Sequence, residues 1–172
     1  MNPIKVGDKI IYPNHGLGFV EAIDQATHNG ETFKVFHLRI LSSNALVLLP
    51  VSVFAEVGVR RPMEEKAVKK IFSYIRSSPD DIIMNWKGRY KEHIDLMKSG
   101  TLMGTAQVLK SLHCLNMIKP LSYREKKMME KAKELLVIEI STASCLPNKK
   151  IEEKIEDALS KCFQNHKHRV NH

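Results

Sequence analysis

The stretch Asn29-Gly-Glu-Thr-Phe-Lys-Val-Phe-His-Leu-Arg-Ile40 decides how the first part of this chain folds. Asn29-Gly30 is a strong turn signal, because both central residues of a type I′ turn need positive φ. From Thr32 onward the pattern alternates. Phe36, Leu38 and Ile40 share one face, and His37 and Arg39 share the other, the period of a half-buried strand. Upstream, Lys9-Ile-Ile-Tyr12 is a short apolar run that ends at Pro13. Asn14-His-Gly-Leu-Gly18 then punctuates the chain, and Phe19 to Ile23 reads as a second strand. Downstream, Ser42-Ser43-Asn44 is a turn, and Ala45 to Leu49 is a strand closed by Pro50. Five of the eight glycines (Gly7, Gly16, Gly18, Gly30, Gly58) fall in this region. Short strands with tight glycine turns predict a small, highly bent sheet or barrel.

After Arg61-Pro62 the period becomes helical. Val68, Ile71, Phe72 and Ile75 recur at three- and four-residue spacing between Met63 and Arg76. Ser77-Ser78-Pro79-Asp80-Asp81 breaks that helix and offers a new start. A second helix is expected from Trp86 to Lys98, ended by Ser99-Gly100, and a third from Thr101 to about Met117. Ser122-Tyr-Arg-Glu125 fits a capping box ahead of a stripe through Met128, Leu135, Leu136 and Ile140. Pro147-Asn148 restarts the chain for a last helix to Phe163, with a polar, disordered tail beyond it. The fold class predicted is α+β: a β domain over 1–61, a bundle of four to five helices over 62–164, and a tail over 165–172.

Composition narrows the function classes. The 172 residues carry 43 % apolar and 27 % charged side chains, the balance of a globular protein. No apolar run approaches the roughly 20 residues that span a bilayer, and the N-terminus has no apolar signal core. Three scattered cysteines (Cys114, Cys145, Cys162) fit a reducing cytoplasm better than a disulfide framework. The formal charge is +8, from 27 basic and 19 acidic residues. Five basic and five acidic groups cancel within residues 1–60, so the whole surplus lies beyond. That asymmetry points to two modules, only one drawn to a polyanion.

Catalytic patterns are poor. There is no phosphate-binding GxxxxGK[ST] loop, and His15-Gly-Leu-Gly18 lacks the spacing of a dinucleotide fingerprint. His113 and Cys114 are adjacent on a helix, about 100° apart, and cannot pair directly as base and nucleophile. Cys114 reads as core. No enzyme, cofactor, metal, membrane or small-molecule partner is expected. The stretch Asn85-Trp-Lys-Gly-Arg-Tyr-Lys91 is more informative. It sets the only tryptophan beside Lys87, Arg89 and Lys91, cations for phosphates next to a flat wedge for bases. The same spacing also puts Trp86, Tyr90, Ile94 and Met97 on one stripe, the pattern of a buried face. Lys126-Lys127, Lys131-Lys133 and Lys149-Lys150 have acids nearby and read as solvated helix surface.

Taken in order, these residues resemble a known family. Val6-Gly-Asp8, Ile11-Tyr-Pro13, His15-Gly16 and Gly18, then Leu49-Pro50 and Val57-Gly-Val-Arg60, resemble the N-terminal domain of the CarD-like bacterial transcription regulators. Trp86-x-x-Arg89-Tyr-Lys91, Lys98-Ser-Gly100 and Leu121-Ser-x-x-Glu125 look like the family's helical domain. The match runs over roughly residues 4–145. It implies a Tudor- or SH3-like barrel, shared with the transcription-repair coupling factor, that binds the β subunit of RNA polymerase by strand pairing. The corresponding strands here hold Leu38, Leu48 and Pro50. It also implies a helical domain that contacts promoter DNA at the upstream edge of the melted region, without sequence reading. Trp86 would be a minor-groove wedge, and Lys87, Arg89 and Lys91 would grip the backbone. The open complex would thereby be stabilised. Two departures bear on this. Ala26 and Leu48 stand where relatives carry basic residues, and Gly88 stands where a relative can have Arg. A monomer bridging polymerase and DNA in the cytoplasm is the leading expectation. The alternative is an RNA- or ribosome-associated module that uses the barrel as its platform, with a hydrolase using His15 behind both.

Overall fold

A computed structural model describes residues 4–13, 15–54, 56–78 and 86–170; the side chains of residues 86 and 163–170 lie outside that description. The chain divides into two compact units, Met1–Pro62 and Met63–His172. The division falls within a residue of the expected change in period.

The first unit is a four-stranded antiparallel meander in the order β1 (Lys9–Tyr12), β2 (Gly16–His28), β3 (Glu31–Ile40) and β4 (Leu46–Pro50). Asn29 (φ 50°) and Gly30 (φ 83°) both take left-handed backbone, as a type I′ turn requires. The hairpin zips to its tip, with Thr27 opposite Thr32 and His28 opposite Glu31. β2 therefore runs beyond the expected end at Ile23, because pairing across the tight turn carries the polar segment Asp24–His28 into the ladder. The register shifts between Val20 and Ala22, a bulge that bends β2 at Glu21. Gly18 lies opposite both Ile10 and Ile40. A Cβ there would stand 2.7 Å from the Arg39 carbonyl oxygen, so the sheet can curl this tightly only over a glycine. Beyond β1 an isolated bridge pairs Ile11 with Arg60. The inward side of this curled half-barrel is filled by Ile10, Val20, Phe36, Leu38, Leu49 and Val59.

The second unit holds α1 (Glu65–Arg76), α2 (Trp86–Lys98), α3 (Leu102–Ile118), α4 (Tyr123–Ser144) and α5 (Asn148–Val170). α1 buries Val68, Ile71, Phe72 and Ile75, the four positions its spacing selects. The Thr101 side chain caps α3 by accepting from the Gly104 amide. Ser122 and Glu125 form the full reciprocal capping box of α4. α3 is the most enclosed helix, and Ala106, Leu109, Leu112 and Leu115 are almost without exposure. α5 continues past the expected stop at Phe163 to Val170, so most of the stretch expected as a disordered tail is helical backbone. The expected helix start at Pro79-Asp80-Asp81 falls outside the described residues.

Candidate functional site

Trp86 is the first residue of α2, and Lys87, Gly88 and Lys91 follow it as exposed positions. A Cβ at Gly88 would meet nothing within 4 Å, so the glycine is not there for packing. Arg89 departs from expectation. It is 2 % exposed, and its guanidinium lies on the carboxylate of Glu125, with Nε at 3.2 Å and a terminal nitrogen at 2.5 Å from Oε1. A guanidinium enclosed this way is unavailable to phosphates. Arg89 is a positioning residue that fastens the start of α2 to the start of α4.

The other Glu125 oxygen accepts from the Ser122 amide at 3.0 Å and the Ser122 hydroxyl at 2.8 Å. Burial pushes the Glu125 carboxyl up, but Arg89 and Ser122 outweigh it and hold the group at about 2. One turn further along α2, His93 is 4 % exposed and its Nε2 lies 3.1 Å from the Ser111 hydroxyl of α3. Burial, then the neighbouring Arg89 charge, push His93 down to about 4, against a smaller opposing effect of Glu125. The imidazole is thus neutral near pH 7. The inward face of α2 is Arg89, His93 and Met97, while Tyr90 and Ile94 are only half-buried. The face is rotated by one position from the stripe its apolar residues outline, because a charged pair is what α2 buries.

Several other cations of the unit are paired. Lys127 pairs with Glu130, Lys131 with Glu134, Lys161 with Asp157, and Lys133 bridges α4 to Glu152 and Glu156 of α5 at 2.8 Å each. These are the solvated, self-neutralised faces that interleaved acids predict.

On the first unit, the candidate surface is the rim strand β4. It pairs with β3 on one side, Leu48 opposite His37 and Leu46 opposite Arg39, and no strand pairs with its other side among the described residues. Leu48 is 58 % and Leu46 is 46 % exposed, and Pro50 is half-buried. Leu38, expected at the polymerase interface, is fully buried in the half-barrel core. Its alternation with Phe36 and Ile40 turns it inward, so it supports the surface from beneath. Leu46 is the exposed position that sequence reasoning missed, although it lies two residues from Leu48 and so on the same face. The arginine beside this surface is matched by a carboxylate. Arg39 forks onto Glu21 at 2.9 and 3.0 Å, and His37 lies 3.1 Å from Asp24.

No group of three or more His, Cys, Asp or Glu that could hold a metal occurs among the described residues. The ring of His15 is tilted against Tyr12, and Ser42 donates to the His15 backbone carbonyl rather than to the ring. Cys114 is core, its sulfur 3.9 Å from that of Cys162. No helix of the described residues is long and apolar enough to cross a membrane.

Comparison with known proteins covers both units. Residues 4–62 match the family described as "CarD-like/TRCF RID domain", and residues 70–156 match "CarD, C-terminal domain". The "Putative transcription factor YdeB" of Bacillus subtilis (strain 168) is 31 % identical over 148 residues, 86 % of this chain and 97 % of that protein. The solution structure of the 72-residue N-terminal domain of Myxococcus xanthus CarD is 33 % identical over 34 % of this chain and 77 % of that one, with a TM-score of 0.30. Matched in both units, and along nearly the whole length of a relative, this chain belongs to the CarD-like family of transcription regulators.

Proposed function

We propose that this protein is a non-catalytic regulator that joins RNA polymerase to promoter DNA and prolongs the open complex. The observation that carries the proposal is the contrast between the units' surfaces. The β unit carries no net charge over residues 1–60, holds Arg39 on Glu21 beside its rim strand, and exposes two leucines on that strand. The helical unit carries the basic surplus and starts α2 with the sole tryptophan.

An exposed strand edge is a template for an added strand, with backbone hydrogen bonds for affinity and alternate side chains for specificity. β4 is that template, and the β subunit of polymerase is its partner. Leu46 and Leu48 stand on the template strand, with Pro50 at its end. Trp86 enters the minor groove at the upstream edge of the melted region, where an apolar wedge at a kinked step offsets a few kcal/mol of unstacking through added contacts. Lys87 and Lys91 hold phosphates without reading sequence. One monomer acts per polymerase, in the cytoplasm. The exposed large apolar side chains described on the β unit are all aliphatic, which disfavours that unit as an RNA platform, since such platforms stack bases on aromatic rings.

The test is a paired substitution at the edge, Leu46→Asp with Leu48→Asp. Both side chains are exposed, so the fold should hold, while capture of purified RNA polymerase should fall at least tenfold. Undiminished capture would remove β4 from the interface.

A further inference from the structure

Burying Arg89 removes one of three expected phosphate contacts, and the lysines of α4 and α5 named above are held by carboxylates. α1 offers a further cationic surface, one whose lysines no carboxylate holds among the described residues. The inward face of α1 is Val68, Ile71, Phe72 and Ile75, and its outward face carries Lys66, Lys69, Lys70, Ser73 and Arg76, all exposed. Lys66, Lys69, Lys70 and Ser73 recur at i, i+3, i+4 and i+7, which keeps them on one side of the helix.

Among the described residues, Lys66, Lys69 and Lys70 make no ion pair, in contrast to Lys127, Lys131 and Lys161. Glu65 stands four residues before Lys69 without bonding to it. Ser73 and Arg76 continue the face toward Ser77, where an open groove is lined by Lys69, Phe72, Ser73, Arg76 and Ser77.

We infer that the outward face of α1 is a second phosphate-binding surface, which takes the backbone of duplex DNA independently of sequence. The inference rests on the DNA-contacting reading of the helical unit and deepens it. Two features select this occupant. The three lysines spread over about 6 Å of helix axis, and each strand contributes one phosphate for about every 3.4 Å of the duplex axis, so the flexible ammonium groups can take successive phosphates. The face also lacks any exposed large apolar side chain, whereas a protein interface needs apolar or aromatic anchors at its centre.

The experiment compares the full chain with the triple variant Lys66→Gln, Lys69→Gln, Lys70→Gln on a short fluorescent duplex of mixed sequence over a range of salt. Removing one lysine–phosphate pairing should reduce the salt slope by about 0.9. The triple variant should therefore lower the slope by about 2 to 3 and weaken affinity at least tenfold at about 0.1 M salt. A charge-matched control, Lys127→Gln with Lys131→Gln and Lys161→Gln, should change far less. An unchanged slope in the α1 variant would overturn the inference, as would an equal change in the control or a full chain that binds no duplex. Failure of polymerase capture with duplex affinity intact would also overturn it and assign α1 to an acidic protein surface. Lys87→Gln with Lys91→Gln separates this inference from the reading beneath it. If that pair weakens binding and the α1 variant does not, α1 is wrong and the role of α2 stands. If the α1 variant weakens binding and that pair does not, α1 stands and the role of the α2 lysines is wrong.

Discussion

Each unit holds an arginine on a glutamate, and the two pairs are opposite in setting. Arg39 and Glu21 meet on the outer surface of the half-barrel, with side chains 27 % and 33 % exposed, across the bulge that bends β2. Arg89 and Glu125 meet inside the helical unit at 2 % and 10 %. The surface pair neutralises charge beside the leucines of β4 and leaves an apolar edge. The buried pair turns a charged residue inward and leaves Lys87, Lys91 and Lys98 outward beside Glu92 and Asp95. On the proposed reading, the same chemistry shapes one surface toward protein and the other toward a polyanion.

Breaking the two pairs should separate them most clearly. Arg89→Ala strands a buried carboxylate, and removal of one partner of such a pair costs about 3–5 kcal/mol. Denaturation of the helical unit, followed by the decay of helical circular dichroism, should shift by that amount. Arg39→Ala, at an exposed pair, should barely move the unfolding of its own unit. Equal effects would mean that burial does not distinguish the pairs.

Acid should reach the same region next, with a sign fixed by two groups. His93 titrates at about 4 when folded against an ordinary 6.5. Below 6.5 the unfolded chain takes up a proton that the folded one refuses, so stability falls as pH drops from 6.5 toward 4. Glu125 extends the fall from 4.5 toward 2, because its carboxylate is held ionised by Arg89 and Ser122. Stability from urea unfolding across this range should decline by a few kcal/mol in total. His93→Gln should flatten the upper part of the decline and leave the lower part. A decline indifferent to His93→Gln would assign it elsewhere.

The smallest effect is expected at Gly88, where open space surrounds the missing Cβ. Gly88→Ala should stabilise α2 by up to about 1 kcal/mol through helix propensity, with duplex binding unchanged. Weaker binding would show that the backbone at Gly88 lies against DNA.

Much of this was legible in the sequence. Asn29-Gly30, the alternation around Phe36, the switch of period at Pro62, the α1 stripe and the capping box of α4 are all local patterns, and local geometry obeyed them. The misreadings are non-local. Arg89 looked like a phosphate ligand because its neighbours are basic, and nothing near it in the chain shows that Glu125, thirty-six positions on, closes over it. The same partner rotates α2 by one position and takes Tyr90 and Ile94 off the buried face. Leu38 is a different case. Its own alternation placed it inside, and only the family resemblance placed it on polymerase. Leu46 escaped notice because exposure on a rim strand depends on what does or does not pair beyond it.

The two surfaces meet in one mechanism only if Trp86 acts on DNA while β4 holds polymerase. The direct measurement is the lifetime of open promoter complexes formed with Trp86→Ala against the unaltered chain, with polymerase capture measured alongside. The mechanism predicts undiminished capture and faster decay of the open complex. An unchanged lifetime with capture intact would contradict it.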